Sequence, residues 1–383
     1  MWVTAERHLY LLPIWQNKGG FVKNHVFKNS GIVLGLLGTV LIASSSFAQG
    51  LMPAVKFPGA RKALTKAQAS TRMSNSPTYT YTLIGYPGAL DTQGVGINPD
   101  ALVRDSDDQS GTATPAIKVV GAWSSSDGES QTGFLARVRG TNPVHETYDL
   151  LNDPQGSQVQ QPYSINDFGQ IVGDYYVGDI GGAYIFHSYE LDGDTFTPLN
   201  VPFAGAVSTF SPAINNAGEI VGGWTDSAGN SHGYTLIGGK YTSFDYPGGQ
   251  IQLYLSVNSE GHIVGSYADA SGNVHGFLRR GNTFTSIDFP GAVYTASTGI
   301  NDADEIVGSY CPTAQCLQTG GEGLQGFILK NGVYTTFTIP GEYGTALASI
   351  NNKGVLMGNY YDSDVNAADT ANHVYTFLAT PTP

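Results

Sequence analysis

Short runs of aliphatic, aromatic and β-branched residues recur along the chain from about residue 79 onward, and each run is bounded by glycine, asparagine or aspartate. The clearest unit has one run ending at Asn215 and three further runs over 219–224, 232–237 and 241–246. Runs of about five or six residues between such turn residues are typical of antiparallel hairpins. The unit therefore predicts four short strands.

This unit occurs six times, since six asparagines follow an aliphatic residue and precede a β-branched run that ends in glycine and an aromatic residue. These are Asn98, Asn166, Asn215, Asn258, Asn301 and Asn351. A repeat of this length cannot bury both faces of its own sheet and needs neighbouring copies, which indicates a radial or stacked array. Four strands per copy favour the blade of a β-propeller.

The two ends of the chain complement each other. Inner, second and third strands are each predicted six times. The outer strand is predicted five times as the last strand of a repeat and once more ahead of the first repeat, over 79–84. The chain stops after a third strand over 373–378. We expect the N-terminal strand to complete the last blade, because this covers an open sheet edge. The predicted fold is all-β, a six-bladed β-propeller of four-stranded antiparallel blades over residues 79–383. A solenoid is the structural alternative, but it does not account for the complementary ends.

The first 78 residues have a different composition. An apolar and small-residue stretch over 31–43 follows three lysines and precedes Ser46, Phe47 and Ala48, which predicts a signal peptide over residues 1–48. The stretch is too short for a membrane span, which needs about 20 apolar residues. Residues 49–78 carry five cations and no acid, so we predict a basic flexible linker there.

Charge narrows the classes of partner. The chain carries 18 Lys and Arg against 31 Asp and Glu, and nine of those cations but only one acid lie before residue 79. Phosphate contacts need clustered Lys and Arg, so the acidic repeat region argues against nucleic acid and anionic membranes and favours neutral or cationic partners. The two cysteines, Cys311 and Cys316, predict a disulfide in an exported chain and are too few for a structural zinc site.

Most residues that could carry chemistry recur with the repeat, so each has a structural interpretation beside a functional one. The asparagines could line a channel, but capping of their own turns is favoured. The aromatic residue that ends each second strand could stack on sugars, but packing between blades is favoured. His232, His275 and His373 begin third strands of different blades, which argues against a shared metal ion. Asp226 and Asp269 begin Asp-x-x-Gly-Asn turns, where a hairpin turn is favoured over Ca²⁺.

Departures from the repeat are the better clue to function. One face carries the loops that enter each inner strand and those that join second to third strands, and its loops over 311–323 and 362–372 are extended. We call it the loop-rich face. The opposite face has one long loop, over 99–115, with Asp105, Asp107 and Asp108. The candidate ligand-binding residues of the loop-rich face are Phe210, Tyr254, Tyr294, Glu342 and Tyr343.

The segments 300–308 (Ile-Asn-Asp-Ala-Asp-Glu-Ile-Val-Gly) and 287–292 (Ile-Asp-Phe-Pro-Gly-Ala), together with His275, Gly276 and Phe277, resemble the HAF family of probable extracellular repeats in bacterial exported proteins. The resemblance spans about 79–378. It departs at the His-Ala-Phe motif, whose first residue aligns with His232, His275 and His373 in three repeats and with Thr132, Gly182 and Gln325 in the others. The family implies export and a repeat fold, and no reaction.

The chain contains no His-Glu-x-x-His motif and no phosphate-binding glycine loop, so no catalytic residue is predicted. The leading hypothesis is a secreted or cell-surface bacterial propeller, without enzymatic activity or resident cofactor, that binds an extracellular glycan or protein through its loop-rich face. The alternative is a metal-dependent hydrolase, lyase or lactonase with its site at the mouth of the central channel.

Overall fold

The computed structural model describes residues 79–382 except 90, 101–115, 125–130, 140–144, 152–159, 181–182, 253, 319–321 and 362–373. The predicted signal peptide over 1–48 and linker over 49–78 lie outside the described residues, as do Asp105, Asp107, Asp108 and His373. No helix in the described part of the chain is long and apolar enough to cross a bilayer.

The described strands form six antiparallel sheets of the predicted kind. Blade 1 contains β2 (Asp91–Ile97), β3 (Ile117–Ser124), β4 (Gln131–Arg139) and β5 (His145–Leu151). Blade 2 contains β6 (Gln160–Ile165), β7 (Ile171–Ile180), β8 (Ala183–Asp192) and β9 (Thr195–Leu199), and blade 3 contains β10 (Ala206–Ile214), β11 (Ile220–Asp226), β12 (Ser231–Ile237) and β13 (Lys240–Phe244).

Blade 4 has its inner strand in two pieces, β14 (Gln250–Ile251) and β15 (Ser256–Val257), followed by β16 (Ile263–Ala268), β17 (Val274–Arg280) and β18 (Thr283–Ile287). Blade 5 contains β19 (Tyr294–Ile300), β20 (Ile306–Cys311), β21 (Gln325–Lys330) and β22 (Val333–Phe337), with the short helix α1 (Ala314–Gln318) between β20 and β21.

Blade 6 combines both ends of the described chain. It contains β23 (Gly344–Ile350), β24 (Leu356–Tyr361) and β25 (Val374–Pro381), and its outer strand is β1 (Tyr79–Ile84). Strand β1 pairs with β25 from Tyr79 opposite Pro381 to Ile84 opposite Thr376. Blades 1 and 6 also meet through side chains, since Thr376 Oγ1 accepts a hydrogen bond from Gly94 N at 2.6 Å. The predicted six-bladed propeller is confirmed.

A buried aromatic residue over a glycine organises every blade. The third strand places an aromatic side chain, fully excluded from solvent, directly opposite the glycine of the second strand. At Gly222, for example, an added Cβ would lie 2.6 Å from the ring of Tyr234. Only a glycine leaves room for the ring, which explains why each second strand contains one. The pairs are Phe134 and Gly121, Tyr189 and Gly173, Tyr234 and Gly222, Phe277 and Gly265, Phe327 and Gly308, and Phe377 and Gly358.

Strand register corrects two positions in the sequence alignment of the repeats. Tyr175 of blade 2 pairs with His187, so His187 and not Gly182 is the counterpart of His232. Tyr360 of blade 6 pairs with Tyr375, so Tyr375 and not His373 is the counterpart there. Among the described residues this third strand covers Val374–Pro381, and His373 lies outside them. The sequence-based alignment located the motif by counting residues from the turn. Because these two hairpins are longer, that count gives a residue that does not pair with the aromatic residue near the end of the second strand.

The loops that enter the inner strands of blades 1, 3, 4, 5 and 6 share one turn, whereas the loop entering blade 2 lies outside the described residues. In blade 6, Glu342 N donates to Ile339 O at 3.3 Å, and Gly341 between them has φ of +86°. A proline followed by a left-handed glycine is typical of a type II turn. The Thr345 hydroxyl then accepts a hydrogen bond from Ile339 N at 2.9 Å and fixes the loop to the inner strand.

The contact between the second-strand glycine and its aromatic partner can be tested at Gly308. An added Cβ would lie 2.0 Å from the Ala296 carbonyl oxygen and 2.8 Å from the Phe327 ring. We expect Gly308→Ala to lower the free energy of unfolding by about 3 kcal/mol, as overpacking does, measured by urea denaturation. The control is Ser309→Ala in the same strand, because the Ser309 hydroxyl is buried without a hydrogen-bond partner. A change of less than about 1 kcal/mol is expected for it. Equal stability of the two variants would contradict the explanation.

Candidate functional site

The repeated asparagines have two roles at once. Asn215 Oδ1 accepts hydrogen bonds from Ala217 N at 2.9 Å and Glu219 N at 3.0 Å, which is the predicted capping of its own turn. Its Nδ2 donates across the blade boundary to Asn258 O at 2.9 Å. The same donation links Asn166 to Asn215, Asn258 to Asn301, and Asn301 to Asn351. The side chains therefore close their turns and also join neighbouring blades around the channel.

A second circle of side chains continues this network on the face opposite the loop-rich one. Asn352 Nδ2 donates to Asp100 Oδ1 at 2.9 Å and to Asp302 Oδ2 at 2.7 Å. Asn216 Nδ2 donates to Asp167 Oδ2 at 2.6 Å. The acidic groups at this end of the channel thus hold amides of adjacent blades together, which assigns them a structural role.

The aromatic residues at the ends of the second strands pack as predicted. Tyr310 stacks on Phe289 of the incoming loop with ring centroids 3.6 Å apart, and Tyr267 stacks on Tyr246 at 3.5 Å. Tyr310 is 5% exposed. These rings lie between a loop and the third strand, so packing and not sugar stacking accounts for their recurrence.

The repeated Asp-x-x-Gly-Asn turns use their carboxylates internally. Asp226 Oδ1 accepts from Ala228 N at 2.9 Å and Asn230 N at 2.8 Å, and Oδ2 accepts from Asn230 Nδ2 at 2.9 Å. Asp269 repeats the arrangement. Hydrogen bonds from the Asn230 side chain and backbone lower the pKa of Asp226 from an ordinary 3.8 to about 2. This geometry supports the hairpin-turn interpretation of both residues.

The two described histidines of the sequence motif pair with carboxylates of their own blades. His232 Nδ1 lies 2.6 Å from Asp245 Oδ1, and His275 Nδ1 lies 2.7 Å from Asp288 Oδ1. Among the residues that the structure describes, no group of three or more His, Cys, Asp or Glu is placed to hold a metal ion.

The inner strand of blade 4 departs from the other five. Every inner strand has a bulge beside the second-strand glycine, as in blade 5 between Ser297 and Gly299. In blade 4 the bulge splits the strand, and it holds one more residue than the others: Gln252 lies six residues before Asn258, whereas Phe210 lies five before Asn215. A bulge redirects the side chains at its centre.

Tyr254 occupies this longer bulge and points into the central channel. It has φ of +66°, a conformation that costs free energy for a bulky residue. Its ring contacts Tyr163 of blade 2 edge to face at 5.9 Å between centroids. Burial raises the pKa of its hydroxyl, and the neighbouring Tyr361, Tyr294 and Asp174 raise it further.

The channel below Tyr254 is narrow. Its cavity of about 40 Å³ is lined by inner-strand residues of all six blades, including Gly96, Tyr163, Ala213, Tyr254 and Ser349. A water molecule needs about 10–15 Å³ on this measure, so the cavity has room for a few waters and not for a sugar ring. Any larger ligand must therefore lie above Tyr254.

A second departure lies where blades 5 and 6 meet on the loop-rich face. Cys311 and Cys316 form the predicted disulfide, with Cα atoms 5.6 Å apart. The connection between β20 and β21, which contains this disulfide, is joined to the loop entering blade 6, because Gly323 N donates to Tyr343 O at 2.9 Å and the Tyr343 hydroxyl donates to Glu322 Oε2 at 3.0 Å. We call this group, Cys311, Cys316, Glu322 and Tyr343, the disulfide ledge.

The five predicted ligand-binding residues fall into two groups. Glu342 and Tyr343 are half-buried at the disulfide ledge, and Tyr294, which is 3% exposed, lies beneath it in a cluster with Cys311 and Tyr361. Phe210 and Tyr254 are half-buried residues of inner strands at the channel. Sequence reasoning missed Tyr163 and Glu322. Tyr163 sits at a bulge position that only strand register reveals. Glu322 lies in the extended loop over 311–323, but the other blades have no residue at an equivalent position with which it could be compared.

The role of asparagine at the blade boundaries predicts unequal effects of a single substitution. Asn215→Asp keeps the turn acceptor but loses the Nδ2 donations to Asn258 O and to Glu219 Oε2, whereas the Nδ2 of Asn351 is buried without a partner. We expect Asn215→Asp to destabilise the protein by about 1 kcal/mol more than the matched Asn351→Asp. The comparison is made by urea unfolding. A larger loss at Asn351 would rule out an energetic contribution of the boundary hydrogen bond.

The lowered pKa values of Asp226 and Asp269 predict sensitivity to acid. A carboxyl with a lower pKa in the folded state stabilises the fold above its unfolded pKa, near 3.8, and this contribution is lost as the pH falls through about 2. We expect Tm to fall between pH 4 and pH 2, and to fall less in the Asp226→Asn and Asp269→Asn double variant. Scanning calorimetry at each pH measures this, and parallel curves for both proteins would contradict it.

Comparisons with known proteins find distant structural similarity alone. No family model and no curated protein matches the chain. Similar solved structures include a mutant of AofleA from Arthrobotrys oligospora, with 13% identity, TM-score 0.42 and coverage of 81% of this chain and 89% of that one. Aleuria aurantia lectin with Fucα1-6GlcNAc has 14% identity, TM-score 0.43 and coverage of 77% and 99%. Trypanosoma rangeli sialidase has 8% identity, TM-score 0.46 and coverage of 80% and 58%. Such scores carry no inference about ligand or activity. What the strand order establishes is a six-bladed β-propeller.

Proposed function

We propose that this chain is a secreted or cell-surface scaffold, without enzymatic activity, that binds an extracellular glycan or protein through its loop-rich face. The observation that carries the proposal is the disulfide ledge, where an aromatic side chain and a carboxylate are held together on a surface that departs from the repeat. The recurring residues, by contrast, have packing or turn-closing roles.

The disulfide ledge is preorganised for binding. The disulfide limits the loop, and the backbone hydrogen bonds Gly323 N to Tyr343 O and Thr345 N to Leu324 O, both 2.9 Å, fix it to the next blade. Preorganisation of this kind reduces the entropy lost on binding. A tyrosine beside a carboxylate offers an apolar ring surface and strong acceptors, which suits a polyhydroxylated or basic partner.

Location outside the cell is supported by the disulfide, which persists in oxidising compartments. It is also supported by the predicted signal peptide over 1–48 and by the resemblance to HAF repeats. The acidic composition, 31 Asp and Glu against 18 Lys and Arg, favours neutral or cationic partners.

Two neighbouring blades offer a matched variant for the test. The loop entering blade 5 has Ala292 and Val293 where blade 6 has Glu342 and Tyr343, and Val293 N and Tyr343 N make equivalent bonds to Cys311 O and Tyr361 O. The double variant Glu342→Ala and Tyr343→Val therefore retains a loop that this fold already accepts. Phe168→Ala is the control, because Phe168 is 73% exposed on the opposite face.

The experiment measures retention of the purified protein on a glycan array and on cell-wall and surface-protein fractions. We expect at least one bound class, a loss of affinity of about ten-fold or more, equal to about 1.4 kcal/mol, in the double variant, and no change in Phe168→Ala. Retention on none of the supports, or equal retention of both variants, would overturn the proposal.

A further inference from the structure

Three neighbouring inner strands leave side chains open at the same level of the channel. Gln161 of blade 2 pairs with Asp174, and Phe210 of blade 3 pairs with Gly223, which are the residues directly after the second-strand glycines. Gln252 occupies the same level in blade 4, where its N–H donates to Ser266 O at 2.8 Å. All three side chains are partly accessible. Because inner strands start at the loop-rich face, this level lies on the loop-rich side of the bulges.

Two aromatic residues follow this level along the inner strands, since Tyr163 comes two residues after Gln161 and Tyr254 two residues after Gln252. Their rings meet edge to face, at 5.9 Å between centroids, and both residues are partly accessible and line the narrow cavity of the channel. We call Gln161, Tyr163, Phe210, Gln252 and Tyr254 the mouth cluster. A ligand as large as a sugar ring would lie on the loop-rich side of this cavity, because the cavity volume of about 40 Å³ has room for only a few waters.

The other half of the channel is closed at this level. The counterparts of Phe210 in blades 5 and 6 are Ala296 and Ala346, 3% and 0% exposed, and the counterpart in blade 1 is Gln93, 4% exposed. The accessible amide and aromatic groups are therefore confined to blades 2 to 4. The packing residues recur in every blade, so packing alone does not explain why accessible amide and aromatic groups occur in only three neighbouring blades.

The mouth cluster has hydrogen-bonding capacity that the protein does not use. Gln161 Nε2 is buried and has no hydrogen-bond partner. Gln252 Nε2 reaches only backbone oxygens of its own strand, Gln250 O at 3.3 Å and Ile251 O at 3.5 Å. An unpaired buried donor costs free energy, which a ligand hydroxyl at this position would recover.

The charges in and beside the mouth cluster favour a neutral ligand over an anionic one. The five residues of the mouth cluster are all uncharged, and the adjacent Asp174 carboxylate accepts a hydrogen bond from Ser188 Oγ at 2.8 Å. A carboxylate near the site and the absence of Lys and Arg from the cluster disfavour an anionic ligand. Aromatic rings for C–H contacts and amides for hydroxyl groups suit a neutral pyranose.

We propose that the mouth cluster binds one neutral pyranose ring, the terminal sugar of a glycan chain, resting on Tyr163 and Tyr254 and hydrogen-bonded by Gln161 and Gln252. The ligand class rests on the proposed function, whereas the site is separate from the disulfide ledge. The unusual backbone of Tyr254 agrees with this role, because strained positions persist where the surrounding structure holds a functional group in place.

The test uses saturation-transfer NMR with the methyl glycosides of glucose, galactose and mannose, and with glucuronic and N-acetylneuraminic acids as charged probes. The variants are Phe210→Ala and the double variant Gln161→Ala with Gln252→Ala, which introduce the residue that blades 5 and 6 already carry at this level. Gln93→Ala is the control, since it makes the same change at a buried counterpart. Thermal melts verify that each variant folds.

We expect at least one neutral glycoside to bind, affinity to fall ten-fold or more in both test variants, and Gln93→Ala and the ledge variant Glu342→Ala with Tyr343→Val to bind as the parent does. The proposal is overturned if no neutral glycoside binds, if the acids bind better, or if the glutamine double variant keeps its affinity. Polymer retention that depends on Tyr343 without any glycoside binding would remove this site and leave the proposed function standing. Glycoside binding that depends on Phe210, in the absence of polymer retention, would overturn the proposed function and leave this site standing.

Discussion

A four-stranded blade exposes two apolar faces and can cover neither by itself, so the fold depends on contacts between blades. The buried aromatic over glycine provides the contact within each sheet, and the ring of asparagine amides provides a polar one between sheets. The asparagine side chain can do this because its oxygen accepts from the turn and its amide nitrogen carries two hydrogens, so that Asn215 Nδ2 donates both to Glu219 of its own turn and to Asn258 O of the next blade. One residue type therefore satisfies the local turn and the global ring at the same time.

Because recurring side chains are used in turns and in packing, few of them are available for binding or catalysis. Histidines, aspartates and aromatic residues that look reactive in the sequence are engaged by partners in their own blade. Within the part of the chain that the structure describes, three exceptions remain: one extra residue in an inner strand, one disulfide loop and one altered entry turn. All three lie on the loop-rich side of the molecule, so the rigid repeat serves as a platform that positions them.

The fold could be predicted from the sequence because strand length, turn chemistry and repeat number all agree on the same architecture. The site could be predicted only in part. Glu342 and Tyr343 stood out against the neighbouring repeat, and the structure places them at one surface. Tyr294 looked equivalent in sequence but is covered by the disulfide loop, since burial depends on a loop packing that no local pattern encodes. Tyr163 could be assigned to the channel only after the bulges had fixed the strand register.

The sharing of blade 6 between the two ends of the chain has a consequence for biogenesis. Strand β1 is synthesised before every other strand of the propeller, yet its partner β25 is the last to emerge. Its hydrogen-bonding edge must wait until the last strand has been synthesised, so the circle is closed late and by the contact most distant in sequence. During that interval the first strand is a free edge, and a chaperone would protect it from pairing with a second molecule.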